Sequence, residues 1–427
     1  MQEIQIGLLG AGVVGGGTLQ ALAQKGDRIA AALGCRLRVK RVLVRDPEKT
    51  REVPVDPALL TTCPEDILDD PAVQIVVELI GGEEPARSYI ARALEQGKHV
   101  VTANKEVIAK HGFALLALAQ KRRVNLFYEA SVGGGIPIIA VLRRDLVANE
   151  ISQIQAIING TTNFILTEME QGRDYAEALR HAQRLGYAEP DPRNDVEGID
   201  AAYKLAILAT LAFRTNVRPE DIPRTGITGL HAKDFRYARE MGYVIKLLAT
   251  ARRLDGEIEA AVHPALLPLD HHLASVKGVF NAVLIDGDQI DKLMLYGRGA
   301  GARPTSSAVL ADICAVAQSI LRGTPEPIDL RTDGARLRDF GEVESRFYLR
   351  MQVADQPGVL AQIARVLGDA RISIASVIQK ETDESARSAE IVLMTHLAKE
   401  RRMAEALEQI RTLPVVRQVS SFIRVAK

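Results

Sequence analysis

The stretch Ile4-Gln5-Ile6-Gly7-Leu8-Leu9-Gly10-Ala11-Gly12-Val13-Val14-Gly15 begins as a largely apolar run of strand character and passes without a break into G-x-G-x-x-G. In that setting each glycine has its own use. Gly10 permits a tight turn, Gly12 lets a pyrophosphate approach the backbone of Gly12, Val13 and Val14, and Gly15 lets the following helix pack close on the strand. The free N–H groups at the start of that helix, expected from Val14 to about Gln24, face the phosphates. A second strand is expected at Leu37–Val44, leading into Arg45-Asp46. Asp46 suits the ribose 2′-hydroxyl of NAD and Arg45 the 2′-phosphate of NADP, so both cofactors stay open. The acid stands farther from Gly15 than usual because Gly26–Cys35 lengthens the first crossover.

Outward from there the pattern alternates: Gln74–Leu79, a helix over Pro85–Gln96, His99–Thr102, a helix over Lys105–Lys121, then Val124–Glu129. Alternating βα units predict an α/β Rossmann unit with a doubly wound parallel sheet, whose ligands sit at the carboxyl ends of strands. There the chain places Gly81-Gly82, Thr102-Ala103-Asn104-Lys105 and the segment Glu129 to Pro137. With Asn104 at the expected helix cap, Thr102 and Lys105 become candidates for the nicotinamide and substrate region. The unit is expected to span residues 1–134 and to be completed by about 304–321, where a glycine-rich loop, Tyr296 to Thr305, enters a helix over Ser306–Leu321. Gly301 of that loop is a further cofactor-binding candidate.

Between 135 and 303 the alternation stops. Ile151–Ile158, Ala260–Pro264, Val279–Leu284 and Asp291–Tyr296 read as strands of a mixed α+β domain for substrate binding, catalysis and dimerisation. Within it, Gly186 to Lys204 packs acids ahead of a lysine. Asp200 and Lys204 are four apart and share one helix face, and Leu205-Ala206-Ile207-Leu208 after them is too apolar for a surface helix. A lysine at the edge of a core has a perturbable pKa and can exchange a proton with a substrate oxygen. Asp200, one turn earlier, can orient it; Lys105 is the rival proton donor.

Fifty-four basic and 54 acidic residues cancel, which argues against nucleic acid, and 47% hydrophobic residues fill several cores. Cys35, Cys63 and Cys314 stand apart, without disulfide or zinc spacing. The first strand starts too near Met1 for a signal peptide, and no uninterrupted apolar run is long enough to span a bilayer. A cytoplasmic enzyme with no membrane partner is expected.

Six ordered blocks, Gly10 to Gly15, Thr102 to Lys105, Glu129 to Pro137, Asn159-Gly160-Thr161-Thr162-Asn163, Leu185 to Lys204 and Gly299 to Thr305, make the chain from Ile4 to about Leu321 resemble the homoserine dehydrogenase family. The resemblance implies NAD(P)-dependent interconversion of aspartate 4-semialdehyde and homoserine. By position it makes Glu189 and Asp200 the substrate-binding acids, Lys204 the catalytic lysine and Lys105 a second active-site lysine. It also implies a structural monovalent cation, sodium, held by the carboxyl or carbonyl of Glu129 and the carbonyls of Val132, Gly134 and Ile136, oxygen donors that suit a hard ion.

After a linker at 322–345, residues 346–427 form a separate pattern: Phe347–Val353, a helix to about Leu367, Ile372–Gln379, Ala389–His396, a helix over Lys399–Thr412 and Val415–Val425. That β-α-β-β-α-β order predicts a ferredoxin-like fold, with Lys380–Ser388 as a hairpin tip. The segment resembles an ACT domain through the turn Asp355-Gln356-Pro357-Gly358-Val359-Leu360. The resemblance implies an amino-acid effector site at Asp355, Gly358 and Val359, with threonine the pathway's feedback ligand, and a homodimer or homotetramer; a plain dimerisation module is the alternative. Since every proposed chemical group lies upstream, the tail is expected to be removable without loss of catalysis.

Two other functions compete. A phosphorylating semialdehyde dehydrogenase needs a cysteine nucleophile, and the three cysteines lie in apolar or peripheral contexts. A non-enzymatic amino-acid sensor would not need Glu189, Asp200 and Lys204. His271-His272 lacks a third metal ligand at suitable spacing and reads as a loop pair, and Arg143-Arg144-Asp145 as a helix face.

Overall fold

The computed structural model describes residues 1–326, 333–383 and 388–426. Contacts group the chain into two compact units, one of Met1–Ile151, Tyr203–Glu220 and Asn281–Gly334, the other of Ser152–Ala202, Asp221–Phe280 and Ala335–Lys427.

In the first unit six parallel strands, β1 (Gln2–Leu9), β2 (Cys35–Leu43), β3 (Leu60–Thr61), β4 (Ile75–Glu78), β5 (His99–Thr102) and β6 (Leu126–Phe127), lie in the order β3-β2-β1-β4-β5-β6. This is the doubly wound arrangement the alternation predicts. Ile4, Ile6, Leu8, Ile75 and Val77 share a core with Val309, Ile313 and Val316 of the helix Ala302–Arg322, so a segment distant in sequence closes the sheet's face. That helix is long and apolar enough to cross a membrane by length and composition only, and half of the stretch is buried within the protein, as in a core helix. The first helix runs Val13–Leu33, nine residues beyond the expected Gln24, and ends at left-handed Gly34. Gly26 does not stop it: a mid-helix glycine costs only about 1 kcal/mol, and Ala30 and Leu33 beyond it are buried or packed on the core. β6 is shorter than Val124–Glu129 because Glu129–Ser131 turns into a 3-10 helix. Val141–Asp145 forms a single π-helical turn, the setting of Arg143 and Arg144.

In the second unit the strands follow the order Ile151–Ile157, Tyr243–Leu254, Glu257–Pro268, Val416–Val425, Glu344–Ala354, Ser388–Thr395, Ile374–Asp383. Tyr243–Leu254 and Glu257–Pro268 are one hairpin, in register from Tyr243 opposite Pro268 to Leu254 opposite Glu257. Asp255-Gly256 joins them, both at positive φ, as a type I′ connection requires. The hairpin is far longer than the expected Ala260–Pro264.

The tail has the predicted β-α-β-β-α-β order, with helices Val359–Asp369 and Glu400–Thr412 packed on its strands around Leu349, Ile363, Leu393, Met403 and Ile410. Its ferredoxin-like sheet does not end at its own edge. Val416–Val425 pairs in parallel with Glu257–Pro268, Arg424 beside Ala265 and Val425 beside Leu266, and the Ala426 N–H donates to the Leu266 carbonyl at 2.9 Å. Residues 384–387 of the expected tip and 327–332 of the linker lie outside the described residues.

Candidate functional site

The glycine-rich turn after β1 is built for close approach. A Cβ on Gly10, which sits at φ +101°, would stand 2.8 Å from the Leu79 carbonyl oxygen, and one on Gly15 would stand 2.1 Å from that of Gly10. Nothing lies within 4 Å of the corresponding point on Gly12, and Val13 beside it is exposed. Turn and helix are thus pressed together while Gly12 and Val13 face open space, the shape that admits a pyrophosphate. Arg45 and Asp46 follow β2 and are exposed. One Asp46 carboxylate oxygen accepts the Glu48 N–H at 2.9 Å.

At the carboxyl ends of β4 and β5 a buried network sets the start of the helix Lys105–Arg122. Glu78, fully buried, accepts the Ile80 N–H at 2.8 Å and the Thr102 hydroxyl at 2.6 Å. Burial pushes its carboxyl pKa up, against these hydrogen bonds. Thr102 Oγ1 accepts the Asn104 N–H at 3.0 Å; Asn104 caps the helix through Val107 N–H at 3.1 Å and donates to the Gly82 carbonyl at 2.7 Å. Lys105, half-buried, is the first helical residue. One turn on, Lys110 bonds Glu83 at 2.7 Å and Glu106 at 2.8 Å, and its ammonium lies 5.7 Å from the ring centre of Tyr203, the neighbour of Lys204. Glu78 carried no sequence signal, since its side-chain partner Thr102 comes from a parallel neighbour strand.

The turn after β6 is held from inside. Glu129 gives one carboxylate oxygen to the Ile139 N–H at 2.8 Å and the other to the Ala140 N–H at 2.7 Å, while its own N–H donates to Asp312 at 2.8 Å. Burial raises the pKa of both acids. Gly134, at φ +56°, runs so close to the glycine-rich loop that a Cβ there would meet the Gly299 carbonyl oxygen at 2.4 Å. Gly301 of that loop caps the helix Ala302–Arg322 at φ +116°.

In the second unit, strand Ile151–Ile157 delivers Asn159. Its side-chain oxygen caps the helix Gly160–Glu170 through the Thr162 N–H at 2.9 Å, and its amide nitrogen donates to Asp195 at 2.7 Å and Asp200 at 2.9 Å. One amide thus holds two carboxylates on a common point. The helix Ile199–Phe213 carries Asp200, 3% exposed, and one turn on, in the segment that belongs to the first unit, Lys204, 9% exposed. Glu189 is exposed, its carbonyl accepting from the Gln183 amide at 3.2 Å. Sequence reasoning missed Asp195. It missed Lys246 too, which is 1% exposed and bonds the Val276 carbonyl at 2.6 Å and Asn163 at 3.3 Å; burial lowers its pKa to about 8.

In the tail, Gly358 sits at φ +87° and starts the helix Val359–Asp369; Asp355 is exposed and Val359 is buried in the module core. His271 is a loop residue whose ring bonds Gln155 at 3.1 Å, and no group of three potential metal-ligating acids, histidines or cysteines occurs among the described residues. All three cysteine thiols are pushed up in pKa, Cys35 and Cys314 by burial and Cys63 chiefly by its bond to Glu65, so none is an activated nucleophile. The rival dehydrogenase chemistry has no thiolate to use.

Comparison with known proteins agrees. The model of the homoserine dehydrogenase NAD-binding domain matches residues 10–129, that of homoserine dehydrogenase 137–314 and that of the ACT domain 347–415. Homoserine dehydrogenase of Corynebacterium glutamicum is 41% identical, with 99% of this chain and 96% of that one covered. The crystal structure of a homoserine dehydrogenase from Thiobacillus denitrificans superposes with a TM-score of 0.92 at 42% identity, covering 100% of this chain and 99% of that one. A hyperthermophilic archaeal homoserine dehydrogenase solved in complex with NADPH gives a TM-score of 0.64 at 29% identity over 77% of this chain and 100% of its own. The chain belongs to the homoserine dehydrogenase family, NAD(P)-dependent oxidoreductases acting on a CH–OH group, and carries the ACT domain at its C-terminal side.

Proposed function

We propose that Lys204 is the proton donor and acceptor for the substrate oxygen, that Glu189 and Asp200 bind the substrate ammonium, and that Lys105 orders the nicotinamide and substrate end of the site. The observation that carries this reading is the Asn159 amide, which holds Asp195 and Asp200 together one turn before Lys204. We add Asp195 to the substrate acids on that ground. When bound, NAD(P)H supplies the hydride. Lys204 then neutralises the charge growing on the oxygen and protonates it, or takes its proton in the reverse direction, while Asp200 keeps the ammonium oriented. Gly10, Gly12, Val13, Val14, Gly15 and Gly301 line the cofactor, Thr102 supports Lys105 through the Glu78 network, and Arg45 or Asp46 reads the ribose. The readings 1–134 with 304–321, 135–303 and 346–427 are the domains we assign to cofactor, substrate with catalysis, and regulation, with 322–345 as linker.

We propose that the turn 129–136, whose candidate ligands are all oxygen atoms, holds a sodium ion. Its donors are the carboxyl or carbonyl of Glu129, with the carbonyls of Val132, Gly134 and Ile136. The ion's part is to fix that turn. We further propose threonine as effector at Asp355, Gly358 and Val359, a homodimer or homotetramer, and a cytoplasmic location. The deciding experiment is steady-state kinetics on Lys204→Ala and Lys105→Ala with cofactor titration alongside. The proton role belongs to whichever lysine's removal abolishes turnover while cofactor affinity persists, and full activity in Lys204→Ala overturns the assignment.

A further inference from the structure

A cleft in the second unit lies between the substrate sheet and the tail. Its floor is Arg252, Glu259 and His263 of the hairpin; its wall is Glu344, Glu400 and Arg424 of the tail. Counted out to its open mouth, solvent-filled space included, it spans about 620 Å³. None of the residues proposed for catalysis, cofactor or effector binding lines it.

The charges in the cleft are paired but not used up. Arg424 grips Glu400 through Nε at 2.6 Å and Nη2 at 2.8 Å, leaving Nη1. Arg252 gives only Nε to Glu259, which also binds Arg338 at 3.0 Å. Among the described residues, the two terminal nitrogens of Arg252 meet no acceptor, so an end-on guanidinium fork is open to a carboxylate. His263 donates through Nδ1 to the Pro264 carbonyl at 3.1 Å, because a carbonyl can only accept; Nε2 is therefore a lone-pair acceptor. Burial keeps this ring neutral, with a pKa of about 3. Glu344 is exposed and has no ion pair among the described residues. The cleft thus combines a spare cationic fork with spare acceptors.

We propose that this cleft binds a small carboxylate that also carries a hydrogen-bond donor, an α-amino or α-hydroxy acid, with the carboxylate on Arg252 and the donor end on His263 and Glu344. Such a ligand ties the tail to the substrate sheet and biases whichever state holds them together. The site goes beyond the proposed effector turn at Gly358, and the test separates the two.

The full-length Gly358→Val protein, whose turn site is disabled, is titrated calorimetrically with L-threonine and with L-lactate. Saturable binding of at least one probe is expected; threonine alone assigns an amino acid, and lactate as well extends the class to hydroxy acids. Adding Arg252→Met should weaken binding about tenfold or more. Arg252→Lys, which keeps the charge beside Glu259 without the fork, should weaken it too and decides the matter if the methionine variant does not fold. No binding of either probe, or equal affinity in Gly358→Val with and without the Arg252 changes, overturns the proposal. Failure of the turn reading shows separately, as unaltered threonine inhibition in Gly358→Val.

Discussion

Asp234 and Arg350 face each other at 2.7 Å with neither side chain reaching solvent, one on the helix Ala232–Glu240 and the other on the first strand of the tail. Asp234 also accepts from Ser421 at 2.6 Å, the His231 N–H at 2.9 Å and Tyr348 at 3.2 Å, and Glu390 binds Arg350 at 2.8 Å. Arg350→Met leaves Asp234 buried without its counter-charge and Glu390 with only Lys233, at 3.5 Å, among the described residues. A loss of about 3–5 kcal/mol is expected, read as the urea midpoint, and a smaller loss in the double variant Asp234→Leu with Arg350→Met. A single variant as stable as the wild type contradicts this account.

The same contact changes what truncation should do. On sequence the tail is dispensable for catalysis; in the structure its removal bares Asp234 and strips the parallel partner from Glu257–Pro268. A chain ending at Arg322 is expected to be less soluble and to melt lower, measured by calorimetry, rather than to behave as a free catalytic core.

For the chemistry, Lys204→Ala should cut kcat about 100-fold or more with NADPH affinity retained. Asn159→Ala frees Asp195 and Asp200 from their shared donor and should raise KM for homoserine. Unchanged kinetics in Asn159→Ala would remove the acids from substrate binding.

For the cofactor, Arg45→Ala should weaken NADPH far more than NADH if Arg45 meets the 2′-phosphate, since those charge-assisted bonds exist only with the phosphate. Fluorescence titration of both cofactors checks it, and parallel losses hand the ribose to Asp46.

His99 is one source of acid sensitivity, alongside the similarly buried His263. Burial lowers the pKa of His99 to about 4, where its Nδ1 accepts the Asn125 N–H at 3.0 Å. Between the unfolded value near 6.5 and about 4 the unfolded chain holds a proton that the folded one refuses, so stability falls as pH falls. From pH 7 to 5 this amounts to up to about 2 kcal/mol. His99→Asn should shrink that loss in urea unfolding at the two pH values; an equal loss would place the sensitivity elsewhere.

Gly358→Val should remove inhibition by threonine, because a valine at φ +87° distorts the turn that starts the helix Val359–Asp369. Inhibition curves on the two proteins decide it.

What was legible in the sequence follows from range. β1, the glycine turn, His99–Thr102 and the cap at Asn104 are local patterns, and the structure returns His99–Thr102 to the residue. The Asp255-Gly256 hairpin carried a local signal that strand-by-strand reading passed over. Asp195 and Glu78 were invisible because each acquires meaning from a partner on another element: Asn159, 36 residues away, and Thr102, 24 away. Lys246 hid for a different reason. It interrupts an apolar strand, and a lysine there reads as the solvent face until the Val276 carbonyl is found opposite its ammonium. Arg350 in the strand Glu344–Ala354 hid in the same way.

The parallel seam between Val416–Val425 and Glu257–Pro268 also fixes the order in which this chain can mature. Its two sides are remote in sequence, so the loop they close is entropically costly and forms late. Until it does, the stretch around Ala265 and Leu266 lacks its partner, while Ile258 and Val262 farther along the same edge pair with Leu337 and with the segment Pro223 to Thr225. The C-terminal module thus closes that part of the substrate sheet's edge only as the last strand docks.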